Sequence, residues 1–85
     1  MSYHIIITKQ AKRDIDGLEN VVKNRLGKKL KQVSQLEDVK PVLRQLVNDK
    51  IGSYRLRIGD YRVLLDLDGK NIVILRIIHR KDVYR

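Results

Sequence analysis

Three arginines in the second half of the chain are spaced to act together. Tyr54-Arg55-Leu56-Arg57-Ile58 alternates apolar and basic residues, the two-residue period of a half-exposed strand. Gly59-Asp60 follows as a two-residue turn with glycine first, as a type II′ hairpin prefers, and Tyr61 to Leu67 reads as the return strand. In that register Ile58 pairs with Tyr61, Arg57 stands opposite Arg62, and Arg55 points to the same side. Three guanidinium groups then converge on one patch of sheet. Directly opposed like charges are unfavourable by roughly 0.2–1 kcal/mol, so a chain with only stability to satisfy would alternate signs here. An anion held between the arginines relieves the repulsion, and a nucleic-acid phosphate, of RNA or DNA, suits this pattern.

The next strand extends the patch or leaves it, depending on one loop. If Asp68-Gly69 is a two-residue loop, Asp66 pairs with Asn71, and Val73, Leu75, Ile77 and finally His79 share the arginine side. Arg76 then turns toward the helices, an awkward place for a charge. A three-residue loop reverses both assignments. His79 is the nearby side chain that titrates near neutrality without a large shift, which suits proton transfer. Arg80, Lys81, Asp82, Val83 and Tyr84 come directly after it, placing further cations and a phenol close in sequence. Structural readings stand beside these: a histidine ending a strand is commonly packed or solvated, and Tyr84 is as well placed to close the core.

Other residues favour structural roles. His4 lies in an apolar strand and reads as packed. Tyr54 and Tyr61 alternate with the arginines and so face the helices, without forming a base-stacking platform. Asp66 and Asp68 resemble a carboxylate pair, but Asp68 suits a turn. The absence of cysteine excludes disulfides, thiolate metal sites and cysteine nucleophiles. No P-loop, HExxH or Rossmann fingerprint occurs, and the aromatic pattern of an RRM is missing. Neither a metal nor another cofactor is expected.

The whole composition agrees with an anionic partner. Nineteen Lys and Arg against ten Asp and Glu leave a net charge of +9 on 85 residues. Such a field draws in phosphate backbones and speeds encounter with polyanions; an acidic protein partner would satisfy it too, and a lysine-rich solvated surface is the bland alternative. The length allows one domain, residues 1–85, with a modest core. No apolar run approaches the roughly 18 residues that cross a bilayer, and the N-terminus lacks a signal-peptide pattern, so a cytoplasmic location is expected.

The elements that must carry the arginines divide near Ile51. Tyr3 to Ile7 reads as a short, buried first strand. Thr8 suits an N-cap, with Ala11, Ile15 and Leu18 at helical spacing after it, although Gly17 weakens that helix. Val22, Leu26, Leu30 and Val33 mark the stripe of a second helix, with Lys23, Lys28, Lys29 and Lys31 off it. Leu36 to Lys50, interrupted by Pro41, is a connection of undefined shape. Asn71 to Ile78 is a mostly apolar strand for the sheet interior. The sum is an α+β fold: a short N-terminal strand, an αα-hairpin covering a sheet, and a C-terminal antiparallel β-meander.

Two stretches resemble a known family. Tyr54-Arg-Leu-Arg-Ile-Gly-Asp-Tyr-Arg-Val63, together with Ile77-Ile-His-Arg-Lys-Asp-Val-Tyr-Arg85, is similar to the RelE toxins of bacterial and archaeal toxin–antitoxin systems, and the element order is similar too. The resemblance implies a ribosome-dependent endoribonuclease that cuts mRNA in the decoding site, with a RelB-like antitoxin as partner beside the ribosome and messenger. Metal-free cleavage uses the 2′-OH as nucleophile and needs a base, an acid and cations for the phosphorane. Arg57, Arg62 and Arg80 suit the last role. Arg55 and Arg57 fall where the family often has lysine, and arginine does not readily lose a proton, so neither suits a base. His79 and Tyr84 remain for proton transfer; Tyr84 matches the family's C-terminal tyrosine. Arg55, Arg57, Lys81 and Arg85 complete the expected RNA contacts. A ParE-like inhibitor of DNA gyrase shares this architecture, and a catalytically weak antitoxin-binding homologue is a third reading.

Overall fold

The structure, a computed structural model, describes residues 2–47 and 52–83. Its elements are β1 (His4–Ile7), α1 (Lys9–Asp16), α2 (Asn20–Ser34), a single 3-10 turn (Lys40–Val42), β2 (Arg44–Gln45), β3 (Tyr54–Ile58), β4 (Tyr61–Asp68), β5 (Asn71–His79) and a terminal turn of helix, α3 (Arg80–Val83). The strands form one sheet in the order β1-β5-β4-β3-β2. Neighbours are antiparallel except β1, which lies parallel to β5. The α+β arrangement expected from the sequence is therefore the one observed.

Helix boundaries reflect local chemistry. The Thr8 hydroxyl accepts the Ala11 N–H (3.2 Å), which satisfies one of the donors a helix start leaves over. Gly17 does not interrupt α1 but closes it, its N–H donating to the Arg13 carbonyl. Along α2, Leu26, Leu30 and Val33 are buried and meet Ala11 from α1 over Leu56, Ile58, Val63, Leu65, Ile72, Ile74 and Ile77 of the sheet. The helical hairpin thus covers one side of the sheet, and the arginines lie on the other.

β1 departs from its expected burial. It is an edge strand, paired only with β5, and Ile6 and Ile7 are each 44% exposed. His4 is likewise exposed and not packed. An apolar run as short as Ile5–Ile7 does not distinguish an interior strand from an edge strand.

The β4–β5 register also departs from expectation. Pairing continues to Asp68 opposite Asn71, so the loop is Gly69-Lys70, with Gly69 at φ +59°. Farther along, Leu65 faces Ile74 while Leu64 faces Arg76, which leaves Leu75 as an extra residue in β5. Such a bulge reverses the sidedness of everything beyond it. Ile77 accordingly pairs with Val63 in the core, and His79 pairs with Tyr61 on the side opposite the arginines. The bulge sits where β1 gives way to α1: the Thr8 N–H and hydroxyl both donate to the Ile74 carbonyl (3.2 and 2.9 Å). Beyond it, Asp14 of α1 accepts the Ile77 N–H (2.9 Å) and the Arg76 Nε–H (2.8 Å). The same reversal sets Arg76 opposite Leu64, on the arginine side and not turned toward the helices, and its charge is met by this carboxylate.

Candidate nucleic-acid interface

The β3–β4 hairpin has the register read from its turn. Ile58 pairs with Tyr61 and Arg57 with Arg62. Gly59 adopts φ +58°, in the left-handed region where a side chain is disfavoured, and this lets two residues connect the strands. Arg55 lies opposite Leu64 on the same side. Tyr54 and Tyr61 alternate away and pack against the core cluster, as their parity required.

A fourth arginine joins the three. In β2, Arg44 pairs with Arg55, so two directly opposed arginine pairs stand in adjacent strand pairs. Pro41, Val42, Leu43 and Arg44 form one wall of a groove whose other lining residues are Arg55, Arg57 and Arg62; its volume is about 300 Å³. No carboxylate lines it. Sequence reasoning missed Arg44 because a two-residue strand has no period to recognise; the only signal was a basic residue just after Pro41.

The four arginines differ in environment. Arg57 is exposed and Arg55 half-buried, whereas Arg62 is only 5% exposed. The Arg62 Nη1 donates to the carbonyls of Gly59 and Tyr61, both at 3.1 Å. These bonds hold the guanidinium beside the turn and leave its Nε and Nη2 hydrogens, a geometry suited to two phosphate oxygens. Among the described residues no carboxylate forms an ion pair with Arg62.

The same turn organises the start of α3. The Arg80 N–H donates to the Asp60 carbonyl (2.7 Å), and its exposed guanidinium lies 3.9 Å from the Asp60 carboxylate. Arg62 and Arg80 are thus anchored to successive carbonyls of one turn. Lys81 is exposed, and its backbone N–H donates to His79 Nδ1 (3.2 Å). His79 also meets Tyr61 edge to face, with ring centroids 5.1 Å apart. It is therefore a packed strand-end histidine on the helix side of the sheet and does not join Arg57 and Arg62. Asp66 accepts the Ser53 N–H (2.8 Å), a structural role, and Asp68 ends β4. Tyr84 and Arg85 lie outside the described residues.

The arrangement lines one groove with four guanidinium groups, of which Arg62 is held by two backbone carbonyls. It can hold a phosphate and stabilise added charge on it. Arginine supplies no proton-accepting group there.

A model of the ParE toxin family of the type II toxin–antitoxin system parDE matches residues 5–84. The chain belongs to this toxin family, within the RelE/ParE superfamily. In structure it is similar to the RelBE2 toxin–antitoxin complex of Mycobacterium tuberculosis, with a TM-score of 0.82 and 26% identity over 94% of this chain and 100% of that one. It is also similar to the archaeal RelE–RelB complex of Pyrococcus horikoshii OT3, with a TM-score of 0.72 and 26% identity over 94% of this chain and 97% of that one. Toxin RelE3 of Methanocaldococcus jannaschii is 42% identical over 31 residues, 36% of this chain and 35% of that protein. The chain thus matches about a third of that curated relative's length.

Proposed function

We propose that this toxin is a ribosome-dependent endoribonuclease that cuts mRNA without a metal and is neutralised by a RelB-like antitoxin. The observation that carries the reading is Arg62: a buried guanidinium with no carboxylate partner among the described residues, in a groove whose charged lining is arginine alone. Burying an uncompensated charge is costly unless an anion arrives to answer it. A bound phosphate would do so, and would relieve the opposed pairs Arg57–Arg62 and Arg44–Arg55 as well.

In the proposed reaction the messenger's 2′-oxygen attacks the adjacent phosphorus as its proton passes to a base. The P–O5′ bond breaks, and the 5′-oxygen takes a proton from an acid. The products are a 2′,3′-cyclic phosphate and a 5′-OH end. Arg57 and Arg62 stabilise the phosphorane, with Arg80 as a further cation from the turn. Tyr84 is the remaining proton-transfer candidate, because the Tyr61 side of the sheet holds His79 away from the groove. Arg55, Lys81 and Arg85 contact the backbone of the strand, as does Arg44. A site poor in bases gains from an external scaffold that fixes the 2′-OH in line with the phosphate, which the ribosome supplies.

Primer extension on ribosome-bound mRNA, with and without the protein, tests this. A codon-phased cut with a free 5′-OH is the expected result. The ParE family match favours a second reading, inhibition of DNA gyrase. Loss of gyrase supercoiling with intact messenger would establish that reading and exclude the nuclease.

A further inference from the structure

A small recess lies on the helix side of the sheet, behind the β3–β4 turn. Buried Leu26, Ile58 and Ile77 and half-buried Leu18, Val22 and Tyr61 give it an apolar lining. Its volume is about 80 Å³. Ile58 and Tyr61 have the opposite parity to Arg57 and Arg62, so the recess and the arginine groove lie on opposite sides of the hairpin. Two charged residues complete the lining, Arg25 from α2 and Asp60 from the turn, and both are exposed.

These two charges share one recess without closing on each other. Among the described residues Arg25 forms no ion pair, and Asp60 meets only Arg80, at 3.9 Å between exposed side chains. The Arg25 side chain nevertheless reaches the turn, its Nη1 lying 3.1 Å from the place a Cβ on Gly59 would take. A guanidinium offers a planar fork of donors, and an ionised carboxylate accepts several hydrogen bonds at once. A long, exposed pair such as Asp60–Arg80 is weak and leaves most of that capacity over. The recess therefore presents an apolar interior beside one cation and one anion, each able to take a further partner.

We propose that this recess binds a free α-amino acid with a short branched aliphatic side chain, of the valine or leucine type. The side chain fills the apolar interior, the α-carboxylate meets Arg25 and the α-ammonium meets Asp60. Size selects the side chain: a dry cavity of roughly 150 Å³ holds benzene. The recess, at about 80 Å³, suits an isopropyl or isobutyl group better than a ring. Charge selects the head group. A fatty acid leaves Asp60 unanswered and an amine leaves Arg25 unanswered, whereas a zwitterion answers both. A docked protein helix would call for a stripe of apolar anchors, and Val21 is the exposed large apolar residue α2 offers. One bound molecule would bridge α2 to Asp60, whose carbonyl accepts the Arg80 N–H, and so brace the turn from behind. The inference stands apart from the cleavage reading, since binding here uses none of the groove's arginines.

The test is titration of the full-length protein with L-leucine and L-valine, followed by amide NMR shifts and thermal melts. Alanine, N-acetylleucine, leucinamide and isobutanol are the controls; they lack the branched side chain, the ammonium, the carboxylate and both charges, respectively. Leucine should saturate with a Kd of about 0.1–1 mM. The amides of Leu26, Asp60 and Tyr61 should shift together, and the melting temperature should rise once leucine exceeds its Kd. Each control should bind at least about tenfold more weakly. Arg25→Gln, an exposed change that leaves the free protein's melt near wild type, should weaken leucine about tenfold. Val22→Phe should fill the recess and abolish the shifts in a protein whose circular dichroism is unchanged. Silence toward both amino acids overturns the proposal, as does isobutanol or alanine binding as tightly as leucine, or an Arg25→Gln protein that binds leucine normally. If the amino acids are silent and the proposed antitoxin moves the same resonances, the recess takes a protein anchor and the proposal is wrong.

Discussion

At the scale of single residues, Arg57 and Arg62 show how one sequence pattern yields two physical roles. They oppose each other across the hairpin, yet Arg57 is solvated while Arg62 is buried and bonded to the Gly59 and Tyr61 carbonyls. Arg57→Ala should change stability by no more than about 0.5 kcal/mol, because it removes an exposed side chain and a repulsive neighbour. Arg62→Ala should cost about 1–3 kcal/mol through two lost bonds and lost packing, so relief of repulsion does not make it stabilising. Both should impair translation arrest, Arg62→Ala completely. Circular-dichroism melts beside an arrest assay separate the two effects. Retained arrest in a folded Arg62→Ala protein would remove the main support for the groove as the active site. Tyr84→Phe should slow single-turnover cleavage while ribosome binding persists; an unchanged rate would exclude the phenol from proton transfer.

Among elements, the join between the helical hairpin and β5 decides how the sheet is presented. Thr8 caps α1 and holds the β5 carbonyl of Ile74, and Asp14 ties the same helix to Arg76 and Ile77. Thr8→Ala should therefore destabilise by about 1–2 kcal/mol, read as a lower urea midpoint. At Asp14, burial by itself would raise the carboxyl, but the bonds from Arg76 and Ile77 prevail and its pKa is lowered. A carboxyl lowered in the folded state adds stability above its unfolded value and loses it as pH falls through the folded one. Stability should then decline as the solution is acidified below about pH 4, and Asp14→Asn should flatten that decline while lowering stability at neutral pH. An identical acid limb in the variant would show that Asp14 is not its source. At the other corner, Gly59→Ala forces a side chain into φ +58° beside Arg25 and should cost about 1–2 kcal/mol.

For the whole molecule, charge and catalytic self-sufficiency pull in different directions. A net charge of +9 favours rapid capture of anionic partners. The proposed antitoxin should associate quickly at low salt and markedly more slowly as salt rises, since opposite charge acts mainly on encounter. Stopped-flow on-rates across a salt series check this, and a flat series would rule out electrostatic steering. Chemistry is another matter, because the groove is rich in cations and has no proton acceptor among its lining side chains. The same RNA should be cut negligibly when free and rapidly in a ribosomal complex, measured by single-turnover assays. Equal rates would mean that the protein supplies a base of its own.

What the amino-acid order determined by itself was local. The glycine-led turn at Gly59-Asp60 and strict alternation around it set Arg57 against Arg62, because a two-residue hairpin admits one register. The helical stripe Leu26, Leu30 and Val33 and the Thr8 cap were legible for the same reason: each depends on residues within a turn or two of one another. Tertiary structure decided the rest. The exposure of β1 depends on having one neighbour strand, and the place of Arg44 depends on β3 being there to pair with it. The side taken by His79 turns on a bulge at Leu75, where β5 passes from β1 to the start of α1 and Ile74 meets Thr8, 66 residues away in the chain. Period and turn chemistry have no term for a contact at that separation, so the histidine's removal from the arginine groove could be seen only once the sheet and helices were assembled.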